Sequence, residues 1–323
     1  MNTIIEADSF DVMRNLAVEE ALCDAHQGGA CLFLWRNDNT VVIGRNQNAW
    51  RECRTKLLES DGGRLSRRKS GGGAVYHDLG NLNFSFIVNK KDYDVARQNA
   101  VLIRAVNSFG LQAAQTGRND VVLKDTGEKF SGCAFRVGEA VCLHHGTVLI
   151  GADMEKLSRY LAPSPQKLQA KGVVSVRARV TNLQMHEPSI TAERMSAALR
   201  EAFLHEYGPA RDLAPSVLDG DKIFALQKLY ESWEWRYGHT PAFDILFDTR
   251  FDWGGAELML RIENGCIAEA KLYTDSMEDM LSAEVERALL GVPYTGAAMQ
   301  QQLIAQVSGQ AGDLGRWIGQ QVP

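Results

Sequence analysis

The chain has 323 residues, 45% hydrophobic and 23% charged, enough for one large domain or two ordinary ones around a sizeable core. Its 35 Lys and Arg against 40 Asp and Glu leave a net charge of −5. That balance excludes a general polyanion binder, so neither nucleic acid nor an anionic membrane is expected as a partner, and any anion site must be local.

The first stretch, MNTIIEADSFD, lacks the basic and apolar regions of a signal peptide. No run approaches the ~18 apolar residues of a membrane helix. Cys23, Cys31, Cys53, Cys133, Cys142 and Cys266 form no CxxC pair. Reduced thiols in a cytoplasmic protein are expected from this, and a zinc site is not. Met13, Leu16, Ala17 and Ala21 predict a helix over 10–26. CLFLW (31–35) and TVVIG (40–44) read as strands separated by the turn residues Asn37, Asp38 and Asn39. A polar helix is expected over 48–60. AVY (74–76) and NFSFIV (83–88) read as a pair of strands. Val101, Leu102, Ala105, Val106 and Phe109 give an amphipathic helix over 94–109 that Gly110 stops.

Three more strands are expected at 120–124, 128–135 and 140–150, and a helix at 190–207 with Met195, Leu199 and Phe203 inward. Helices mixed with short strands, without strict βαβ alternation, imply an α+β fold whose mixed or mostly antiparallel sheet is flanked by helices. PARDLAPSVLDGDK (209–222) carries the chain's strongest loop or boundary signal. Beyond it, Ala256, Leu258, Leu260 and Ile262 alternate with polar residues up to Asn264-Gly265, a hairpin turn signal. Helices follow, the first with Leu281, Val285, Ala288 and Leu289 on one face. A large domain over 1–244 and a small α/β accessory domain over 245–323 are expected.

RRKSGGGAVYHDLGN (67–81) places three glycines after a basic cluster. It is not a P-loop, because its lysine precedes the glycines. It is not a dinucleotide fingerprint, because Tyr76 stands at the third glycine position and the loop enters a strand. Successive backbone N–H groups without Cβ atoms can still converge on an anion, and Arg67 or Arg68 can add bidentate contacts. Neighbours in an extended segment face opposite ways, so one of the two is expected to face the site. The competing reading is a surface turn with solvated charges. Lys129, inside the apolar stretch GEKFSGCAF, is either a cleft-facing cation or an edge-strand lysine. Asp120, in TGRNDVV, is either a turn residue or a carboxylate for magnesium held with phosphates. His144 and His145 face opposite sides of a strand, so at most one lines a pocket. Cys133 and Cys142 read as buried thiols unless a base lies nearby.

Together with MRNLAVEEAL (13–22), LFLWRNDNTVVIGRNQNAW (32–50), KFSGCAFR (129–136), HHGTVL (144–149), KGVVSVRARVTNL (171–183), ESWEWRYGHTPAF (231–243) and RFDWGGAEL (250–258), these segments resemble the lipoate–protein ligase A family of the biotin/lipoate ligase superfamily. The resemblance covers nearly the whole chain. It implies a class II biotin synthetase-like fold and a ligase that uses ATP and magnesium to make lipoyl-AMP from lipoate. The lipoyl group then passes to a lysine of lipoyl domains in 2-oxo acid dehydrogenase complexes, or of the glycine-cleavage H protein. By the same resemblance the enzyme acts as a monomer without a redox cofactor. Arg68, Gly73, Ala74, Val75, Tyr76 and Lys129 would serve ATP. Gly72, Gly73, Val75, His77, Lys129 and His145 would serve lipoate, and Lys171, Gly172, Ser175, Val176 and Arg177 an adenylate loop. Lys69, Asn83 and Cys133 depart from the family pattern. An ATP-independent lipoyl or octanoyl transferase working through a cysteine thioester is the rival reading.

Overall fold

The computed structural model describes residues 1–117, 119–162, 180–237, 244–307 and 309–322. Its elements run β1 (Asn2–Glu6), α1 (Val12–Ala25), β2 (Ala30–Trp35), β3 (Thr40–Ile43), α2 (Ala49–Glu52), α3 (Thr55–Ser60), β4 (Arg64–Arg67), β5 (Val75–His77) and β6 (Asn81–Asn89). Then come α4 (Val95–Asn107), β7 (Ala113–Thr116), β8 (Asp120–Leu123), β9 (Lys129–Val137), β10 (Val141–Leu149), α5 (Met154–Tyr160), α6 (Ala192–Tyr207), β11 (Ala210–Leu213), α7 (Gly220–Glu231) and α8 (Trp233–Tyr237). The chain closes with β12 (Ile245–Phe251), β13 (Gly254–Glu263), β14 (Cys266–Thr274), α9 (Leu281–Leu289), α10 (Gly296–Gln306) and α11 (Gln310–Gln321).

Eight strands form the main sheet in the order β11-β1-β2-β6-β10-β9-β8-β7. β1 pairs in parallel with β2 and β11, while the remaining pairs are antiparallel, so the sheet is mixed as expected. One face packs on α4 and α6, with Leu82, Phe84, Phe86 and Val88 of β6 buried against Val101, Leu102, Met195 and Phe203. The period-2 pleat sends Asn81, Asn83 and Ser85 of the same strand to the opposite face, where α1 and α7 pack. That buried polar face carries the candidate site. A three-stranded sheet, β4-β3-β5, lies beside it. The C-terminal sheet β12-β13-β14 packs on α9, α10 and α11, with Leu258, Leu260, Val285, Leu303 and Leu314 at the centre. No helix among the described residues is long and apolar enough to cross a membrane.

Several sequence expectations need correction. AVY and NFSFIV do not pair: β5 joins β3, whereas β6 joins β2 and β10. Asp78 accounts for this, since its carbonyl and side chain cap Asn81 and Gly80 in a tight turn that redirects the chain. The expected helix 48–60 breaks at Cys53, whose extended backbone bridges to Leu161. Segment 209–222 is not a boundary, because its Ala210–Leu213 docks on β1 as the edge of the main sheet. The N-terminal β1 was not anticipated.

His144 sits in the core on the α4 side, among Phe84, Phe86 and Phe135, with Nδ1 2.9 Å from Gln98 Oε1. Burial pushes its pKa down from 6.5 to about 3. The folded state therefore holds this ring neutral while the unfolded chain takes up a proton. The resulting stability is fully present above pH 6.5 and is lost progressively toward pH 3. Denaturant titrations of His144→Gln should show a shallower fall in stability over that window than the unsubstituted protein. Equal slopes would contradict the assignment.

Candidate active site

The glycine loop is built from buried arginines. Arg67 and Arg68 end and follow β4, and each is only 6% exposed. Arg67 donates to the carbonyls of Gly44, Arg45, Gln47, Trp235 and Arg236, and Trp235 Nε1 donates back to Arg67 O. It ties α8 to the loop. Arg68 donates to Ser70 Oγ at 3.0 Å and to the carbonyls of Val42, Gly71 and Gly73 at 3.3, 2.7 and 2.8 Å. Desolvation pushes both guanidinium groups down to about 10, and carbonyl oxygens replace the lost water. Both basic side chains thus point into protein, Arg67 toward α8 and the 44–47 turn and Arg68 toward the glycine loop. Arg68 faces the carbonyls that give Gly71-Gly72-Gly73 its shape.

Behind the loop runs an unbroken polar chain. His145 Nε2 lies 2.7 Å from Ser70 Oγ, and its Nδ1 lies 2.8 Å from Glu19 Oε1. Ser85 Oγ donates to the same Glu19 oxygen at 2.5 Å and accepts from Trp35 Nε1 at 2.9 Å. Burial alone would raise the Glu19 carboxyl, but its attraction to His145 and the hydrogen bonds from His145 and Ser85 bring it below the usual carboxylate range. His77 stands edge-on to Trp35, with Nδ1 3.0 Å from Asn37 Nδ2. An amide N–H can only donate, so Nδ1 accepts and the proton sits on Nε2. Burial, with Arg68 and His145 nearby, pushes the His77 pKa down to about 3. Nε2 of His77 and Nδ2 of Asn83 are buried and have no hydrogen-bond partner among the described residues. This face is therefore lined by polar groups as well as Val75.

Lys129 opens β9, with its ammonium 2.6 Å from Asp120 Oδ1. A Cβ on Gly132 would stand 2.9 Å from Lys129 Nζ, so the ammonium lies across Gly132. A Cβ on Gly72 would stand 3.8 Å from that of Ala134. Gly132 and Ala134 share one face of β9, about 7 Å apart along the strand. Lys129 and the glycine loop thus meet over the same stretch of strand. The described chain resumes at Val180, and Thr181 N donates to Lys129 O at 2.9 Å. Lys171, Gly172, Ser175, Val176 and Arg177 lie outside the described residues.

Tyr76 points away from the loop: its ring packs on Tyr160 and its hydroxyl donates to Asn39 Oδ1, which leaves its backbone for the site. Ala74 packs against the same apolar group. Asp120 meets Lys129 directly, and no cluster of three acidic, His or Cys residues suited to a metal occurs among the described residues. Lys69 pairs with Glu20 at 2.9 Å, and Glu20 also holds Arg136 at 2.7 Å. Sequence reasoning missed Glu19, Ser70 and Ser85. No local pattern marks the adjacent Glu19 and Glu20, both buried, as facing inward.

The C-terminal part touches the loop. Gly72 N donates to Ser276 O at 2.9 Å and Thr274 N to Asn46 O at 2.7 Å. Arg51 pairs with Glu257 and Asp248 of that part.

A family model described as lipoyl protein ligase A/B catalytic domain matches residues 11–204, and one described as bacterial lipoate protein ligase C-terminus matches residues 240–311. Among solved structures, P. falciparum LipL1 in complex with lipoate is 27% identical, with a TM-score of 0.88 over 99% of this chain and 100% of that one. A bipartite lipoate protein ligase from the archaeon Thermoplasma acidophilum, described with its E2 lipoyl domain, is 28% identical over 76% of this chain and 99% of its own, with a TM-score of 0.65. A lipoate-protein ligase A bound with ATP is 26% identical over 73% of this chain and 98% of its own, with a TM-score of 0.61. The larger family match spans more than half of the sequence, and the chain belongs to the lipoyl protein ligase A/B family, with a lipoate protein ligase C-terminus.

Proposed function

We propose that this protein is an ATP-dependent lipoate ligase that forms lipoyl-AMP and passes the lipoyl group to a lysine of a lipoyl domain. The observation that carries the reading is the meeting of Lys129 and the glycine loop over Gly132 and Ala134. Lipoate-bound, ATP-bound and lipoyl-domain-paired relatives support it. In the first step a lipoate carboxylate oxygen attacks the α-phosphorus and pyrophosphate leaves. Two anions must approach, and the Lys129 ammonium, turning from Asp120 to the substrate, offsets their repulsion. Arg68 holds the carbonyls of Gly71 and Gly73, so that the backbone from Gly73 to Tyr76 can take the nucleotide. Gly72, Val75, His77 and His145 would line the acyl side. In the second step the acceptor's lysine amine attacks the acyl carbonyl and AMP leaves, with the amine's proton passing to solvent. Closure over the anhydride by the 171–183 segment belongs to the same proposal, because water would hydrolyse the adenylate.

Asp120 fits magnesium as a single protein carboxylate once Lys129 has turned away, with phosphates supplying the other oxygens. When bound there, the ion would neutralise phosphate charge. We extend the proposal to lipoyl domains of 2-oxo acid dehydrogenase complexes and the glycine-cleavage H protein as acceptors, to a monomer working in the cytoplasm, and to a domain boundary between residues 244 and 245. The test is lipoate-dependent exchange of labelled pyrophosphate into ATP, followed by mass addition on a lipoyl domain. No exchange by the intact protein would refute the reading.

The thioester alternative needs an ionisable, accessible thiol. Cys133 is 6% exposed, and burial pushes its thiol up to about 12. Burial also raises Cys142, which is fully enclosed. A Cys133→Ala/Cys142→Ala variant should keep exchange within about threefold of the unsubstituted protein. Loss of turnover together with loss of an acyl-protein adduct would reinstate the transferase.

A further inference from the structure

Four of the five bonds in the chain behind the glycine loop have a fixed direction. The Nε–H of Arg68 can only donate, so Ser70 Oγ accepts from it and its hydroxyl hydrogen is free to go elsewhere. The Glu19 carboxylate can only accept, so His145 Nδ1 carries a hydrogen. The fifth bond, Ser70 Oγ to His145 Nε2 at 2.7 Å, takes its direction from the ring: with His145 neutral, Nε2 accepts and Ser70 donates. Donation runs one way, from Arg68 through Ser70 and His145 to Glu19, and from Trp35 through Ser85 to the same carboxylate. Ser70 and Ser85 are fully buried, and Glu19, His145 and Arg68 nearly so. A buried guanidinium and a buried carboxylate are thus joined through a hydroxyl and an imidazole, and neither end has water to fall back on.

We infer that Glu19, on α1, is a positioning residue for the glycine loop: it fixes the His145 tautomer, which orients the Ser70 hydroxyl, which holds the Arg68 guanidinium on the carbonyls of Gly71 and Gly73. Trp35 and His145 stand on the face proposed for lipoate, so the same chain joins the acyl side of the site to its nucleotide side. The inference rests on the proposed ATP-dependent reading. It adds a reason for a buried glutamate that touches neither the loop nor Lys129 through any hydrogen bond given above.

A double-mutant cycle tests it. The dissociation constant of a non-hydrolysable ATP analogue is measured by calorimetry for the unsubstituted protein, Glu19→Gln, Ser70→Ala and the double variant. Each single change should weaken binding about tenfold, and the double variant should be no weaker than the worse single one, because both cut one relay. Multiplicative losses, or unchanged binding in Glu19→Gln, would overturn the inference. No analogue binding by the unsubstituted protein would instead refute the ATP-dependent reading. Histidine 15N spectra of the unsubstituted protein provide a readout free of folding defects. His145 should appear protonated at Nδ1 with an acceptor-type Nε2, and the opposite tautomer would sink the relay.

Discussion

Lys129→Ala should abolish most lipoate-dependent pyrophosphate exchange, a loss of about two to three orders of magnitude, the range seen when one charge-stabilising donor is removed from an active site. The argument is electrostatic. Carboxylate and α-phosphate each carry negative charge, and their approach in a site that excludes water is opposed far more strongly than in bulk solvent. Lys129 is placed to offset this because the Asp120 carboxylate already holds its ammonium at 2.6 Å, a contact that a substrate carboxylate can take over. Lys129→Arg should restore little, since a broad planar guanidinium does not reproduce a compact ammonium lying across Gly132. Undiminished exchange in Lys129→Ala would remove the lysine from the chemistry. Asp120→Asn divides the two roles open to that carboxylate. A raised magnesium requirement identifies a metal ligand, whereas an unchanged one with tighter lipoate binding identifies a counter-ion that competes with substrate.

The parts of this fold that were legible in the sequence are those decided locally. α4 follows from its 3.6-residue apolar spacing and from Gly110, whose φ of 82° suits the stop. The C-terminal hairpin follows from strict alternation and from Asn264 and Gly265, both at positive φ. The site was legible only as separate motifs. His145 and Glu19 are 126 residues apart, and nothing in NLAVEE distinguishes a buried glutamate from a solvated one. The burial of Arg67 was hidden for the same reason, since its carbonyl partners come from 44–47 and from α8. Charge next to glycine suggested an exposed anion trap, but the carbonyls that make the arginines structural come from distant segments. Lys69, a departure from the family pattern, has a local account: it shares Glu20 with Arg136.

Substituting the three loop glycines one at a time should give three different results. In Gly71→Ala the new Cβ would stand 2.5 Å from the Ser276 carbonyl oxygen, a backbone atom that cannot rotate away. The loop and the 274–277 segment would have to part, breaking the Gly72 N to Ser276 O bond as well. Gly72 has φ +89°, and its Cβ would stand 3.0 Å from Arg68 Nη2 and 3.1 Å from Met277 Sδ. Backbone strain of about 1–3 kcal/mol is expected there, with displacement of the guanidinium that shapes the loop. Gly73 has no positive φ, and a Cβ on it meets nothing within 4 Å. Gly73→Ala should therefore fold with stability within ~0.5 kcal/mol of the unsubstituted protein, while Gly71→Ala and Gly72→Ala melt earlier. The open space at Gly73 is what a nucleotide would occupy in the proposed complex, so Gly73→Ala should raise the KM for ATP about tenfold or more, with melting temperature unchanged. A Gly73→Ala protein that melts as early as the other two would contradict the loop geometry. One that melts normally and keeps its KM for ATP would move the nucleotide off this loop, because the methyl group would then stand in space that no substrate uses.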